Sequence, residues 1–584
     1  MKQLLSGNEA VARGAWEAGV NVVSAYPGTP STEILENLAK YKEVYAELAV
    51  NEKVGLEVAA GASFGGARAL TCMKHVGLNV AADPLFSMGY IGATGGFVVV
   101  SADDPGMHSS QNEQDNRYYA KMAKIPCLEP SDSQECLEYA RLAFELSEKF
   151  DTPVLLRLTT RISHSKGVVE PGERKEHKPS GYVKDIKKRI TIPAHARKMH
   201  VKVEERLRRL AEYGETFPGN RVEKGNRKLG IITSGISYQY AKEVFPGASF
   251  LKLALTYPLP RKLIADFIRS VDEVYVIEEN DPFLEEQIKA MGYSPKGQCA
   301  FDKPITGKDK VPIVGELDPT AVARAFGLQK EPPHKNIDIP GRPPVLCPGC
   351  PHRGVFFAIN KLKLTATGDI GCYTLGMMEP LEAMDTVICM GGSVTAAMGL
   401  EKALGPEMAR RTVAVIGDST FFHSGITGLI DMVYNNAQGT VAILDNRITA
   451  MTGHQENPGS GKTLQGLPAP VLSLEEICRS CGVKDVHVID PLDLKATEAA
   501  LKAAAGHPGV SVVIAKSPCI LIDKKFKPAL HVDEEACVGC RLCLKLGCPA
   551  ISFDSKKKKS HIDPIFCTGC EVCASLCPKK AMKR

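Results

Sequence analysis

No apolar run in these 584 residues approaches the roughly 20 residues needed to span a bilayer. The strongest candidate, Phe97-Val98-Val99-Val100, is short and bracketed by glycine and aspartate, so a membrane span is excluded. The opening residues MKQLLSGNEA lack the apolar segment of a secretory signal, and a cytoplasmic chain is expected. No solenoid-type repeat is present. Charge of a single sign is also missing: 72 Lys/Arg against 67 Asp/Glu leave +5. Between Lys166 and Lys228 there are 18 Lys/Arg and 9 Asp/Glu, a local +9, so the rest of the chain is net −4. Basicity confined to one Pro-containing stretch reads as a solvated connector with one helix, not as a nucleic-acid groove. The alternative is a docking face for a partner subunit or an acidic electron carrier.

What is present is the composition of a multi-lobed globular protein: 44% hydrophobic and 24% charged residues, enough for sizeable cores, and a length of about four domains at roughly 150 residues each. Residues 1–165 alternate Val/Ala-rich strands with amphipathic helices, the pattern of a parallel sheet covered on both faces. The basic connector occupies 166–228. A second α/β unit is expected at 229–328, a Pro-rich linker at 329–344, a third α/β domain at 345–525 and a small cysteine-dominated module at 530–584. The fold class is therefore α/β with several parallel-sheet domains, closed by an α+β module.

In a reducing compartment 19 cysteines point to metal or redox chemistry rather than disulfides. Eight lie in two runs, Cys537-x2-Cys540-x2-Cys543-x4-Cys548-Pro and Cys567-x2-Cys570-x2-Cys573-x3-Cys577-Pro. Two-residue spacers let three thiolates converge on one 4Fe-4S cubane, and the Pro-flanked fourth cysteine of each run serves the other cluster. Cys537, Cys540, Cys543 and Cys577 then hold one cluster, and Cys567, Cys570, Cys573 and Cys548 the other. Cys548 carries one residue more than the bacterial ferredoxin spacing. Zinc is the competing reading, but zinc ribbons use paired knuckles and not triple runs. Two clusters form an electron wire, which implies a redox centre elsewhere.

Val413-Ala-Val-Ile-Gly-Asp418-Ser419 puts an acid just past a strand, and Val441-Ala-Ile-Leu-Asp445-Asn446 repeats the arrangement. With a crossover helix between them, Asp418 and Asn446 share the carboxyl edge of a parallel sheet, where such sheets bind ligands. With a backbone carbonyl near Ile448, two diphosphate oxygens and a water, they complete the octahedron Mg2+ prefers. Gly417-Asp418-Ser419 and Asp445-Asn446 are similar to the motif that holds thiamine diphosphate. Upstream, Gly391-Gly392-Ser393 opens a small-residue helix whose first N–H groups suit a diphosphate. A turn after a strand is the bland alternative for each piece. Thiamine chemistry also needs a carboxylate for the aminopyrimidine. Glu52, at a strand-to-helix junction, is the candidate, with Glu57 in reserve; a carboxylate favoured by the first turn of a helix is the ordinary explanation.

Tyr26-Pro-Gly-Thr-Pro-Ser-Thr32, Cys347-Pro-Gly-Cys-Pro-His-Arg353, Gly368-Asp-Ile-Gly-Cys-Tyr-Thr-Leu-Gly376, Ala450-Met-Thr-Gly-His-Gln455 and the terminal cysteine module occur in that order. In this the chain resembles the alpha subunits of indolepyruvate:ferredoxin oxidoreductases, thiamine-dependent 2-oxoacid oxidoreductases, over nearly its whole length. The resemblance implies a thiamine pyrimidine domain at 1–165, a transketolase C-terminal-like domain at 229–328 and a thiamine diphosphate/Mg domain at 345–525. It also implies oxidative decarboxylation of aryl pyruvates (indolepyruvate, phenylpyruvate, hydroxyphenylpyruvate) with coenzyme A, giving an aryl-acetyl-CoA, CO2 and reduced ferredoxin. A beta subunit in an α2β2 heterotetramer and ferredoxin are the implied partners, with no nucleic acid. The competing functions are a non-oxidative thiamine decarboxylase or synthase, and an electron-transfer subunit without thiamine chemistry.

By the same resemblance Thr29 contacts the substrate carboxylate, while the residues alone read it as a helix N-cap before Pro30. The polar stretch His108–Asp115 is expected as a loop near the site. His352, His423 and His454 sit in motifs close to the cofactor, although a lone histidine is more often structural. Cys347, Cys350, Cys372 and Cys519 match the ligands of a third, proximal 4Fe-4S cluster, against reduced core cysteines or zinc. The other seven, Cys72, Cys127, Cys136, Cys299, Cys389, Cys478 and Cys481, read as small buried hydrophobes.

Overall fold

The computed structural model describes residues 1–293, 301–328, 341, 343–524 and 526–584. Cys299 and most of the expected Pro-rich linker at 329–344 lie outside the described residues. The chain divides into two compact units, Met1–Asn336 and Ile337–Arg584.

In the first unit the Val-rich segments form the centre of a seven-stranded sheet. Its order is Leu255–Tyr257, Cys127–Leu128, Val154–Thr159, Phe97–Asp103, Ala69–Lys74, Val22–Ala25, Tyr45–Leu48. All neighbours are parallel except the edge strand Leu255–Tyr257, which runs antiparallel to Cys127–Leu128. Every residue of Phe97–Asp103 is buried, which explains a run that is apolar rather than alternating: helices cover both faces. One cover is the helix Glu52–Phe64, started by Asn51, whose side chain accepts from the Val54 N–H, and seated through Leu56, Ala59 and Ala60.

Residues 229–328 supply most of a second sheet in this unit, ordered Ile305–Thr306, Glu273–Ile277, Asn226–Thr233, Ala248–Lys252, Arg221–Glu223. They also lend the edge strand of the first sheet. Buried charge ties these parts together: Arg117 bonds Glu278 at 2.7 Å as well as Asp115, and Arg157, paired with Asp103 at 2.7 Å, also donates to Asn280 Oδ1 at 3.2 Å. Removing one member of such a network leaves a buried charge unpaired, typically at a cost of about 3–5 kcal/mol.

The connector is more structured than its composition suggests. Lys166–Val169 pairs antiparallel with Gln3–Ser6, and helices form at Ile186–Arg189 and Pro193–Gly214, two where one was expected. Much of its positive charge is met locally. Arg174 donates to the Trp16 carbonyl at 2.6 Å, Lys188 pairs with Asp151 at 2.7 Å, and Arg206 reaches the Asp151 carbonyl at 2.8 Å.

The second unit is built on a six-stranded, wholly parallel sheet ordered Thr386–Val387, Thr365–Gly368, Thr412–Gly417, Gly439–Asp445, Val510–Lys516, Asp485–Ile489. The register pairs Gly417 with Leu444, so the carboxyl ends bearing Asp418 and Asp445-Asn446 lie side by side. The cysteine module follows, with the paired strands Ile551–Asp554 and Lys559–Ile562 and the pair His531–Val532 and Met582–Lys583. Leu530, Leu546, Ile562 and Val572 form its small core with Leu494 of the preceding domain.

Candidate active site and cluster-binding residues

In the first unit Glu52 is 4% exposed at the first position of its helix, and its side chain lies over Gly77. Capping is done by Asn51, so the burial of Glu52 is not explained by a cap. The reserve candidate Glu57 is partly exposed and paired with Lys53. The Thr29 expectation needs correction in one respect: the helix runs Thr32–Leu38 with Ser31 at its N-cap, so Thr29 does not cap it. A cis peptide joins Thr29 to Pro30 before that helix begins. Around Thr29 the loop closes with Ser109, from the polar stretch expected nearby, and with Lys74, which no sequence motif singled out. The Thr29 carbonyl accepts from Ser109 Oγ at 3.5 Å, and the Lys74 Nζ donates to the Ser109 carbonyl at 2.8 Å. Thus His108–Asp115 does lie beside Thr29. Lys74 also runs along Gly28, where a Cβ would come within 3.2 Å of its Cγ. Burial pulls the Lys74 ammonium down, while the charges of Asp104 and Glu52 counter that. The signal for Lys74 was a charged residue ending a buried strand.

In the second unit Asp418 is 3% exposed at the end of its strand and accepts from Asn457 Nδ2 at 3.0 Å. Burial, reinforced by the Asp445 charge, pushes its carboxyl up to about 7. No basic side chain among the described residues pairs with it. A buried carboxylate so poorly compensated fits a divalent cation, as does the Asn446 amide beside it. The Asn446 Oδ1 holds the Ile448 N–H at 3.2 Å, and Thr449 Oγ1 donates to Ser419 Oγ at 2.9 Å, drawing this loop to Asp418-Ser419. A cleft here is lined by Asp418, Phe422, Asp445, Arg447 and Lys516. Gly417 is needed for space: a Cβ would lie 2.6 Å from the Tyr373 ring.

Gly391, Gly392 and Ser393 do begin the helix Gly392–Leu404, but their N–H groups are not open to a ligand here. Gly391 and Ser393 donate to Asp369 at 2.9 and 3.2 Å, and Gly392 donates to the Cys389 carbonyl at 3.0 Å. A buried acid brought 22 residues forward through the fold occupies the positive end of this helix, and a diphosphate held there has to displace it. Burial lifts the Asp369 carboxyl to about 6. His352 is buried with its ring 6.2 Å from that of Tyr373, and burial depresses its pKa to about 4. His423 is buried in the turn after Asp418 and meets Ser424 Oγ at 2.5 Å. His454 is exposed, with a left-handed backbone.

The cysteines group as follows. Cys372 feels the charges of Cys347 and Cys519, and Cys350 those of Cys347 and Cys372, so four residues spread over 172 positions converge. Cys573 feels Cys570, Cys548 and Cys567, the crossed set expected of a two-cluster module, and more weakly Cys543. Cys543 feels Cys540 and Cys537. Gly349, Gly539 and Gly569, each in the same place of a Cys-x-Gly-Cys turn, all have φ between 67 and 71°. Burial pushes Cys350 and Cys573 up to about 12, so each would need a bound metal to stand as a thiolate. No three His, Cys, Asp or Glu side chains among the described residues close tightly enough for a single metal ion. A cubane carries its thiolates at separate corners, so wider groups of four suit it. Of the other cysteines, Cys72, Cys127, Cys136 and Cys478 are buried and Cys481 half-buried, whereas Cys389 is exposed, against expectation.

The proximal set adjoins the Asp418 site: the Cys519 N–H donates to the Asn446 carbonyl at 3.0 Å. Thiamine-type sheet edges and cysteine clusters in one chain define a thiamine-diphosphate-dependent, iron–sulfur oxidoreductase. Family comparisons agree. Residues 13–209 match the thiamine-diphosphate-binding domain of pyruvate flavodoxin/ferredoxin oxidoreductases, 369–515 the C-terminal domain of thiamine pyrophosphate enzymes, and 529–578 the 4Fe-4S dicluster domain. Indolepyruvate oxidoreductase subunit IorA of Archaeoglobus fulgidus is 44% identical over 100% of this chain and 97% of its own length. That of Thermococcus kodakarensis is 42% identical over 98% and 96%, and that of Methanothermobacter marburgensis 44% over 94% and 92%. The chain belongs to the indolepyruvate oxidoreductase IorA family, and is an enzyme of 2-oxoacid:ferredoxin oxidoreduction. Among the described residues no helix is long and apolar enough to cross a membrane.

Proposed function

We propose that the chain, with a smaller partner subunit, oxidatively decarboxylates aryl pyruvates with coenzyme A and passes the electrons through three 4Fe-4S clusters to ferredoxin. The observation that carries the reading is the Cys519 N–H bond to the Asn446 carbonyl, which joins one cysteine set to the residues suited to the metal and diphosphate. When bound, thiamine diphosphate supplies the electron sink for loss of CO2. Asp418, Asn446 and the Ile448 carbonyl hold Mg2+, with Gly417 and Ser419 beside it and Gly391 to Ser393 as further diphosphate donors once Asp369 yields. His352, kept neutral by burial, and the buried His423 line this end, and His454 is the exposed one of the three.

Glu52 holds the proton exchanged with the aminopyrimidine, its carboxylate kept away from water by burial against Gly77. Lys74 and Thr29 take the carboxylate of the 2-oxoacid, since a cation held against the Gly28-Thr29 loop through Ser109 suits a small anion. The cysteine sets are Cys347, Cys350, Cys372 and Cys519; then Cys548, Cys567, Cys570 and Cys573; then Cys537, Cys540, Cys543 and Cys577. The test is anaerobic viologen reduction by the two-subunit enzyme across a panel of aryl pyruvates, with and without coenzyme A. Glu52→Gln should lose on the order of 100-fold or more in turnover with all iron retained. Near-normal turnover would move the role to Glu57, and turnover indifferent to coenzyme A would remove the acyl-CoA product.

A further inference from the structure

Arg353 closes the motif Cys347-Pro-Gly-Cys-Pro-His-Arg353, and nothing so far has used it. It is 5% exposed, and its partners are unusual for a buried cation. Nε donates to the Cys347 carbonyl at 3.1 Å, Nη1 to the Leu546 and Gly547 carbonyls at 3.0 and 2.6 Å, and Nη2 to the Leu346 carbonyl. All four acceptors are main-chain oxygens, two beside Cys347 and two beside Cys548. Among the described residues no carboxylate pairs with it, so its charge is left uncancelled in the interior. A buried guanidinium without a counter-ion is costly unless an anion comes with function.

The anions on offer are the cysteines of two different sets. Cys350, Cys548, Cys567, Cys570 and Cys573 ring one cavity, and Arg353 forms part of its wall. Burial lowers the Arg353 pKa, and the charges of Cys548, Cys350, Cys347 and Cys570 oppose that fall, so thiols of both sets act on the one guanidinium. The turns that carry the two sets also meet: a Cβ on Gly349 would lie 2.3 Å from Thr568 Oγ1.

We infer that Arg353 is a fixed positive charge shared by the cysteine sets of Cys347 and Cys548, stabilising the extra electron on whichever set holds it. The inference rests on the reading above that both sets carry 4Fe-4S clusters. One electron is moved: the first cluster is oxidised from 1+ to 2+ as the second is reduced from 2+ to 1+, with no proton transferred and no bond made. Arg353 stays charged throughout, because a guanidinium does not titrate in proteins, so the transfer is not gated by a proton. Its role is positioning of charge.

The test is a redox titration of the reconstituted two-subunit enzyme followed by electron paramagnetic resonance, with iron counted in parallel. In R353Q the two flanking clusters should each become at least tenfold harder to reduce at fixed potential, about 59 mV lower for one electron. The Cys537 cluster should not move, and R353K should keep wild-type potentials. With about twelve irons per chain, unchanged potentials in R353Q would overturn this inference alone, as would an equal shift in all three clusters. A wild type holding only about eight irons would overturn it together with the third-cluster reading. Should R353Q fail to retain iron, R353M takes its place: the two flanking potentials should fall by the same tenfold or more, and unchanged potentials would overturn the proposal.

Discussion

Replacing Gly77 by alanine moves the proposed proton-exchanging carboxylate without changing its chemistry. The new Cβ would stand 2.7 Å from Glu52 Oε1, 2.8 Å from its Cγ and 3.0 Å from its Cδ, whereas ordinary contact begins at 3.4 Å. The carboxylate must therefore retreat by roughly 0.7 Å, and a misplacement of about 1 Å costs on the order of 100-fold, about 2.7 kcal/mol of barrier. Stability should go the other way. Gly77 sits within the helix His75–Val80, where alanine is favoured over glycine by about 1 kcal/mol, and what it displaces is a side chain, not backbone. Activity should thus fall about 100-fold in the viologen assay while the thermal midpoint holds or rises. A variant within about threefold of wild-type turnover would refute the argument that the position of Glu52 matters. A fall in activity matched by a fall in midpoint would show a general loosening instead.

Lys74→Met should raise the KM for the 2-oxoacid about 10- to 100-fold, the worth of a charged hydrogen bond, with Lys74→Arg recovering part of it; an unchanged KM would take the substrate carboxylate away from this loop. Replacing Cys347 and Cys350 together by alanine should lower iron from about twelve to about eight per chain and leave thiamine diphosphate bound, and retention of twelve would dissolve the proximal set. Asp369 gives a pH prediction. Its carboxyl is raised to about 6 by burial, so its contribution to stability is full below about pH 4 and lost as pH rises through 6. Asp369→Asn, neutral throughout, should therefore gain on wild type by about 1 kcal/mol between pH 5 and 7.5 in denaturant midpoints. A gap that narrows instead would mean that the helix N-terminus outweighs burial.

What the sequence by itself determined was local or covalently spaced. The two cysteine runs, the acids that end Thr412–Gly417 and Gly439–Asp445, and the parallel α/β class are readable because two-residue spacers and buried Val runs act over a few residues. The place of Glu52 at the start of a helix was legible for the same reason, at a junction marked by Asn51. Tertiary structure decided what depends on closure over long distances. Asp369 reaches the start of Gly392–Leu404, Asn457 reaches Asp418, and Lys74 reaches the Thr29 loop through Ser109, with no spacing that marks any of these pairs. The helix start at Ser31 rather than Thr29, and the edge strand that Leu255–Tyr257 contributes to the first sheet, are likewise choices among local options that packing settles. Arg353 shows the division most plainly. Its place after a Cys-x-x-Cys pair is written in the chain, but its four carbonyl partners and uncancelled charge exist only because the cysteine module folds back onto the preceding domain. Local periodicity acts over a few bonds; the desolvation that gives a charge its worth acts only once distant segments have excluded water.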